Sequence, residues 1–209
     1  MFPTDVLIAY AAAVLLVIVS PGPDNILAIS RGLSQGKSAG ILSSIGAGLG
    51  ILFHTVAATL GLALILQTFP LAFMVVKAVG AAYLFWLGYK AISSRTLISF
   101  VPTERISLKR VFATGLLSNV LNPKPGLFVV AFIPQFTDPQ RGSVALQMLV
   151  YGAVFAVLTA SVFSALSCFA AQLSNWLSRR PKTVAAVNVG AGVTFIAAGL
   201  SVLALGRRP

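Results

Sequence analysis

Asp24 is the one acidic residue deep inside an apolar stretch of this chain, and Lys124 is one of two lysines so placed. Amides surround both: Asn25 follows the aspartate, and Asn119 and Asn122 precede the lysine. A charge at bilayer depth costs about 2.5 to 3.5 kcal/mol on insertion scales, so such residues usually face a cavity and act there. A carboxylate, an ammonium and three carboxamides suit a small zwitterion. Its amino group would pair with Asp24, while Lys124 and the amides freed at a broken helix N-terminus would take its carboxylate. The same two charges could instead form an internal salt bridge that holds the chain together. A bridge opened by substrate would serve as a gate, so the two readings are compatible.

Both charges sit in proline pairs, Pro21-Gly22-Pro23-Asp24 and Pro123-Lys124-Pro125-Gly126. A proline inside a helix removes one hydrogen bond and clashes with the preceding turn, at about 3 kcal/mol, and two at i and i+2 exceed a simple kink. Pro21, Gly22, Pro23, Pro123 and Pro125 therefore mark helix breaks, tolerable in hydrocarbon only where the freed backbone faces protein or a water-filled cavity. The alternative is that Pro21 and Pro123 cap helices at the membrane surface.

His54, the single histidine, lies on a face with Gly46, Gly50, Ala57 and Gly61, spacings that set small residues against a neighbouring helix. It could relay a proton or be a packed residue bonded to a nearby Ser or Thr. Lys77 could line the same cavity or snorkel to the surface. Gly46-Ala-Gly48-Leu-Gly50 lacks the spacing of a nucleotide loop, and Cys168, the only cysteine, excludes an internal disulfide. Neither a cofactor nor a resident metal is implied.

The elements that position these residues follow from composition. Of 209 residues 57% are hydrophobic and 9% charged, against about 25% charged in soluble domains, so this is an integral membrane protein embedded in lipid. The formal charge of +11 is spread over short gaps rather than gathered in a patch, which argues against a nucleic-acid partner. Six apolar segments approach or exceed the roughly 20 residues of a spanning helix: Thr4 to Ile29, Ala39 to Leu66, Leu71 to Ile92, Leu108 to Phe132, Ser143 to Leu173 and Thr183 to Leu205. The first has an acidic residue and no basic one ahead of it, unlike a cleavable signal. Ten Lys and Arg, from Arg31 to Lys182, fall on one side, against Arg141, Arg207 and Arg208 on the other. The positive-inside rule makes the richer side cytoplasmic and puts both termini outside.

The stretch 93–107 reads as a cytoplasmic linker between a first repeat, about 1–92, and a second, about 108–209. The proline pairs echo each other, and "VGAAYLFWLG" at 79 to 88 echoes "VGAGVTFIAAG" at 189 to 199. Three helices per repeat make the second run opposite to the first. The predicted fold is a single all-α transmembrane transporter domain of six helices, built as two inverted three-helix repeats, with the first and fourth helices broken.

"SPGPDN", "KAVGAAYLFWLGYKAI" at 77 to 92 and "NVLNPKPGLFVVAFIPQF" at 119 to 136 resemble the lysine exporter (LysE/RhtB) family of bacterial inner-membrane amino-acid exporters, over essentially the whole chain. The resemblance implies six helices in inverted halves and proton-driven export of an amino acid or close derivative. By motif it singles out Pro21 to Asn25 and Asn122 to Lys124. Pro125 departs from the family, which more often has alanine there. A lone intramembrane acid favours a neutral or small polar substrate over a dibasic one. The alternative is a divalent metal-ion or other small-solute efflux carrier of similar architecture, although one His and one Asp make a poor metal cage. No H-E-x-x-H motif occurs, and one Asp with one His at depth is too few for an intramembrane hydrolase, which argues against an enzyme. The glycine-rich faces would serve internal packing or a homodimer.

Overall fold

The computed structural model describes residues 3–20, 22–68, 104–170 and 180–204, with single positions between 75 and 93 and at 172 and 176. The helices are α1 (Thr4–Val19), α2 (Pro23–Gln35), α3 (Lys37–Thr68), α4 (Leu108–Val120), α5 (Pro123–Phe132), α6 (Val144–Cys168) and α7 (Pro181–Ala204). Short 3-10 turns at Ile133–Phe136 and Pro139–Arg141 join α5 to α6, and there is no strand among the described residues. Every described position between Val75 and Ile92 is helical. Pro21, Lys77 and residues 94–103 of the expected linker lie outside the described residues.

By length and composition, α3 through Gly61 and α6 can each cross a membrane. The pairs α1 with α2, and α4 with the stretch from Pro123 to Phe136, pass the same test together and are bent by 63° and 51°. Large apolar side chains point outward along the bundle: Ile8, Leu60, Leu121 and Val157 are 64, 65, 78 and 65% exposed. That exposure suits hydrocarbon.

Pro23 and Pro123 each take the first position of a helix, where the missing N–H has no intrahelical partner to lose and the fixed φ suits the first turn. The sequence reading ended the first span at Ile29 and put Arg31 in a loop. Instead α2 runs to Gln35 and buries Arg31, whose Nη1 donates to Gln35 Oε1 at 3.0 Å and to the Glu104 carbonyl at 2.6 Å. Gln35 continues the clasp, donating to the Ile106 carbonyl at 2.8 Å and accepting the Ile106 N–H at 3.1 Å. Only Gly36 separates α2 from α3, at φ 88°, a conformation that glycine adopts without strain.

α3 is the spine, packed against α2, α4 and α6. Its glycines let backbones meet: a Cβ on Gly46 would lie 2.5 Å from the Phe112 carbonyl oxygen, and one on Gly48 2.9 Å from that of Ala156. Across the same crossing a Cβ on Gly115 would collide with the Ser43 carbonyl oxygen. In lipid, where apolar burial does not drive helices together, this close approach carries association. The expected small-residue face is half used. Gly46 and Gly50 abut α4, whereas Ala57 is exposed and no described atom lies within 4 Å of a Cβ on Gly61. Gly88 meets α7 in the same way, Gly88 and Gly192 lying against each other's backbone.

Gly115→Val forces α3 and α4 apart, an overpacking cost of about 1–3 kcal/mol, and lowers the melting temperature of the detergent-purified protein. Gly61→Ala leaves it unchanged within error.

Candidate functional site

The turn between α1 and α2 is organised by Asn25. Its Oδ1 accepts the Gly22 N–H at 2.9 Å, and its Nδ2 donates to the carbonyls of Ser20 at 3.1 Å and Ile18 at 3.4 Å. One buried side chain thus serves both the amide that opens α2 and the carbonyls that close α1, groups that a broken helix leaves without partners. Asn25 is committed to the backbone, which makes it a positioning residue.

Between α4 and α5, Asn122 accepts the Lys124 N–H on Oδ1 at 3.0 Å and donates from Nδ2 to Asp24 Oδ2 at 3.0 Å. Asn119 Nδ2 donates to the same oxygen at 2.8 Å, and Ser118 Oγ donates to Asp24 Oδ1 at 2.8 Å. In return Lys124 Nζ donates to the Ser20 carbonyl at 2.8 Å. Each interruption therefore holds the charge supplied by the other. Electrostatics agree on both sides. Asp24 lies in the first turn of α2, the positive end of that helix, and the Lys124 ammonium sits on the carbonyl that ends α1, a negative end.

Neutral donors meet the Asp24 carboxylate, and both charges border one cavity. One sequence reading is corrected here, the register of the proline echo. Pro23 and Asp24 correspond to Pro123 and Lys124 as the first two residues of α2 and α5, whereas the motif match had set Pro21 against Pro123. The matching position before each helix is Gly22 in one case and Asn122 in the other.

The cavity between these turns measures about 30 Å³, room for about two water molecules. Ser20, Gly22, Asp24, Asn25, Asn119, Asn122 and Lys124 border it, with Pro125 and an apolar remainder of Val17, Ile18, Ile51, Phe155 and Phe163. Gly22 is held to its type by the lysine, since a Cβ there would lie 3.3 Å from Nζ. Toward the 137–143 turn the space ends in a run of edge-on and tilted ring contacts: Phe155 with Phe128, Phe128 with Phe132, Phe132 with Phe136, and Phe136 with Tyr10 and Tyr151. Tyr10 Oη donates to the Tyr151 carbonyl at 2.8 Å and fixes that end.

His54 stands one residue away from the cavity. Its Nε2 lies 3.0 Å from the backbone carbonyl of Asn119, not a Ser or Thr hydroxyl, and the ring packs so closely on Gly126 that a Cβ there would sit 2.9 Å from it. Asn119 thus joins His54, through its carbonyl, to Asp24, through its side chain. Among the described residues no three His, Cys, Asp or Glu side chains converge.

Sequence reasoning missed Ser20, Ser118 and Thr159. Ser20 acts through its carbonyl, which residue type does not reveal. Ser118 had a usable signal, because it directly precedes Asn119 in the segment that also carries Asn122. Asn25→Ala takes this partner from the Gly22 amide and the Ile18 carbonyl, about 1–3 kcal/mol for a buried group, and leaves the Ser20 carbonyl to Lys124 alone. It destabilises the purified protein measurably in thermal melts and weakens transport, because the carbonyl that receives Lys124 loses its fixed position.

The family model described as "LysE type translocator" matches residues 15–206. The chain is 32% identical over 194 residues to an uncharacterized membrane protein of Vibrio cholerae, covering 92% of this chain and 94% of that protein. It is 31% identical to the homoserine/homoserine lactone efflux protein of Salmonella typhimurium, over 91% and 92% of the two chains. It is 27% identical to the leucine efflux protein of Klebsiella pneumoniae, over 90% of each. No solved structure matches. The family match and the similarity of these efflux proteins along nearly the whole chain make this a transporter rather than an enzyme: the protein belongs to the LysE type translocator family.

Proposed function

We propose that the protein exports a neutral or small polar amino acid, or a close derivative, across the bacterial inner membrane by proton antiport. The observation that carries this reading is the reciprocal hold between the two interruptions, Asp24 on Ser118, Asn119 and Asn122, and Lys124 on the Ser20 carbonyl. Those contacts are replaceable ones. A substrate ammonium competes for the Asp24 carboxylate and a substrate carboxylate for the Lys124 ammonium, so one zwitterion takes both places. A single carboxylate has no second charge for a dibasic side chain, and the relatives named for homoserine/homoserine lactone and leucine efflux are named for compounds without a charged side chain. A divalent metal would meet one carboxylate here rather than a cage of ligands.

A cavity of about 30 Å³ is too small for an amino acid, so the elements on either side must separate to admit one. Two inverted three-helix repeats, each contributing one interrupted helix, would provide that motion by rocking about the shared site. In the proposed cycle substrate enters from the cytoplasm and displaces the donors on Asp24, and a proton arriving from outside on that carboxylate releases it. Both termini then face outward.

Asp24→Asn is the direct test. The amide can keep all three contacts, its oxygen accepting from Asn119 and Asn122 while its nitrogen donates to Ser118, whose hydroxyl works in either sense. The variant therefore folds and inserts but loses gradient-dependent export of labelled amino acid from cells or vesicles. Unchanged export would remove Asp24 from the mechanism.

A further inference from the structure

Thr159 of α6 is 2% exposed, and its hydroxyl has no hydrogen-bond partner among the described residues. Threonines in apolar helices ordinarily return the hydroxyl to a carbonyl one turn back. Thr55 and Thr59 of α3 do so, onto Ile51 and Thr55, each at 2.8 Å. Thr159 does not, and it borders the cavity between Phe155 and Phe163, one turn before and one turn after it. The wall that α6 gives the cavity is thus ring, hydroxyl, ring. With Val17, Ile18 and Ile51 also apolar, this hydroxyl is the one polar side-chain group among the described lining residues that lies away from the serine, amide and charged groups at the two interruptions. The division matches the two parts of an amino acid, a zwitterionic backbone common to all and a side chain that differs.

We propose that Thr159 determines specificity by hydrogen-bonding an oxygen on the substrate's side chain, so that the carrier prefers a small hydroxylated amino acid to an aliphatic one of the same size. This rests on the amino-acid export reading and adds the side chain to it. A buried polar group left without a partner penalises the analogue that cannot supply one, and discrimination of this kind exceeds what an apolar pocket achieves. Phe155 and Phe163 limit the length of side chain on either side of the contact.

The pair to compare is homoserine and norvaline, which differ by a hydroxyl in place of a methyl. Initial rates of labelled homoserine and norvaline counterflow are measured in proteoliposomes holding the full chain, for the wild type, Thr159→Val and Thr159→Ser. The wild type is expected to favour homoserine by about tenfold or more. Thr159→Ser keeps that ratio. Thr159→Val brings it to one or below while norvaline transport persists, which also shows that the variant is folded; Thr159→Ala repeats the comparison should the valine variant not insert. An unchanged ratio in both apolar variants, or no preference for homoserine in the wild type, would overturn the role of Thr159. Failure of the wild type to move any amino acid would instead overturn the export reading itself.

Discussion

A helix interrupted inside an apolar bundle frees amides and carbonyls that water cannot reach, and each must find a partner within the protein. That constraint shapes the site. Asn25 meets it within one interruption by serving Gly22, Ser20 and Ile18, and Asn122 meets it at the other by serving the Lys124 amide. What capacity is left over, the second lone pair of the Ser20 carbonyl and the amide nitrogen of Asn122, reaches across to the opposite charge. The prolines therefore set out the chemistry by determining which backbone groups need partners.

The surroundings divide into parts that hold and parts able to yield. α3 meets its neighbours through glycines at backbone distance, packing that allows little relative movement without loss of contact. The links between the two interruptions are four hydrogen bonds that involve Asp24 or the Lys124 ammonium, individually modest and exchangeable for equivalent bonds to a ligand. At one end tilted aromatic rings pack against one another beyond the cavity; beyond the other, Arg31 and Gln35 tie α2 to the chain just before α4. A rigid spine beside an exchangeable polar link is an arrangement suited to a carrier.

Much of this was legible in residue types. Continuous apolar length located α3 and α6, the proline pairs located the starts of α2 and α5, and the rarity of charge at depth picked out Asp24 and Lys124 as partners in one site. The contacts themselves were not legible. A lysine beside an aspartate in sequence logic suggests an ion pair; the carbonyls and amides that the folded chain offers them carry no signature in the sequence. The proline echo could be matched in two registers, and helix starts distinguish them where a four-residue match does not. Arg31 looked like a loop charge because hydropathy falls there, whereas α2 continues and buries it through hydrogen bonds that hydropathy does not count. Thr159 resembled Thr55 and Thr59 and differs only in where its hydroxyl is left.

The central claim is that both interruptions border one substrate site. The chain's single cysteine, Cys168, can be replaced by serine and a new cysteine set at Ser20 in one variant and at Pro125 in another, one from each interruption and both on the cavity wall. The account predicts that an exported amino acid slows labelling of both by a small thiol reagent, with the same concentration dependence. Protection of one position only, or of neither while transport persists, would contradict it.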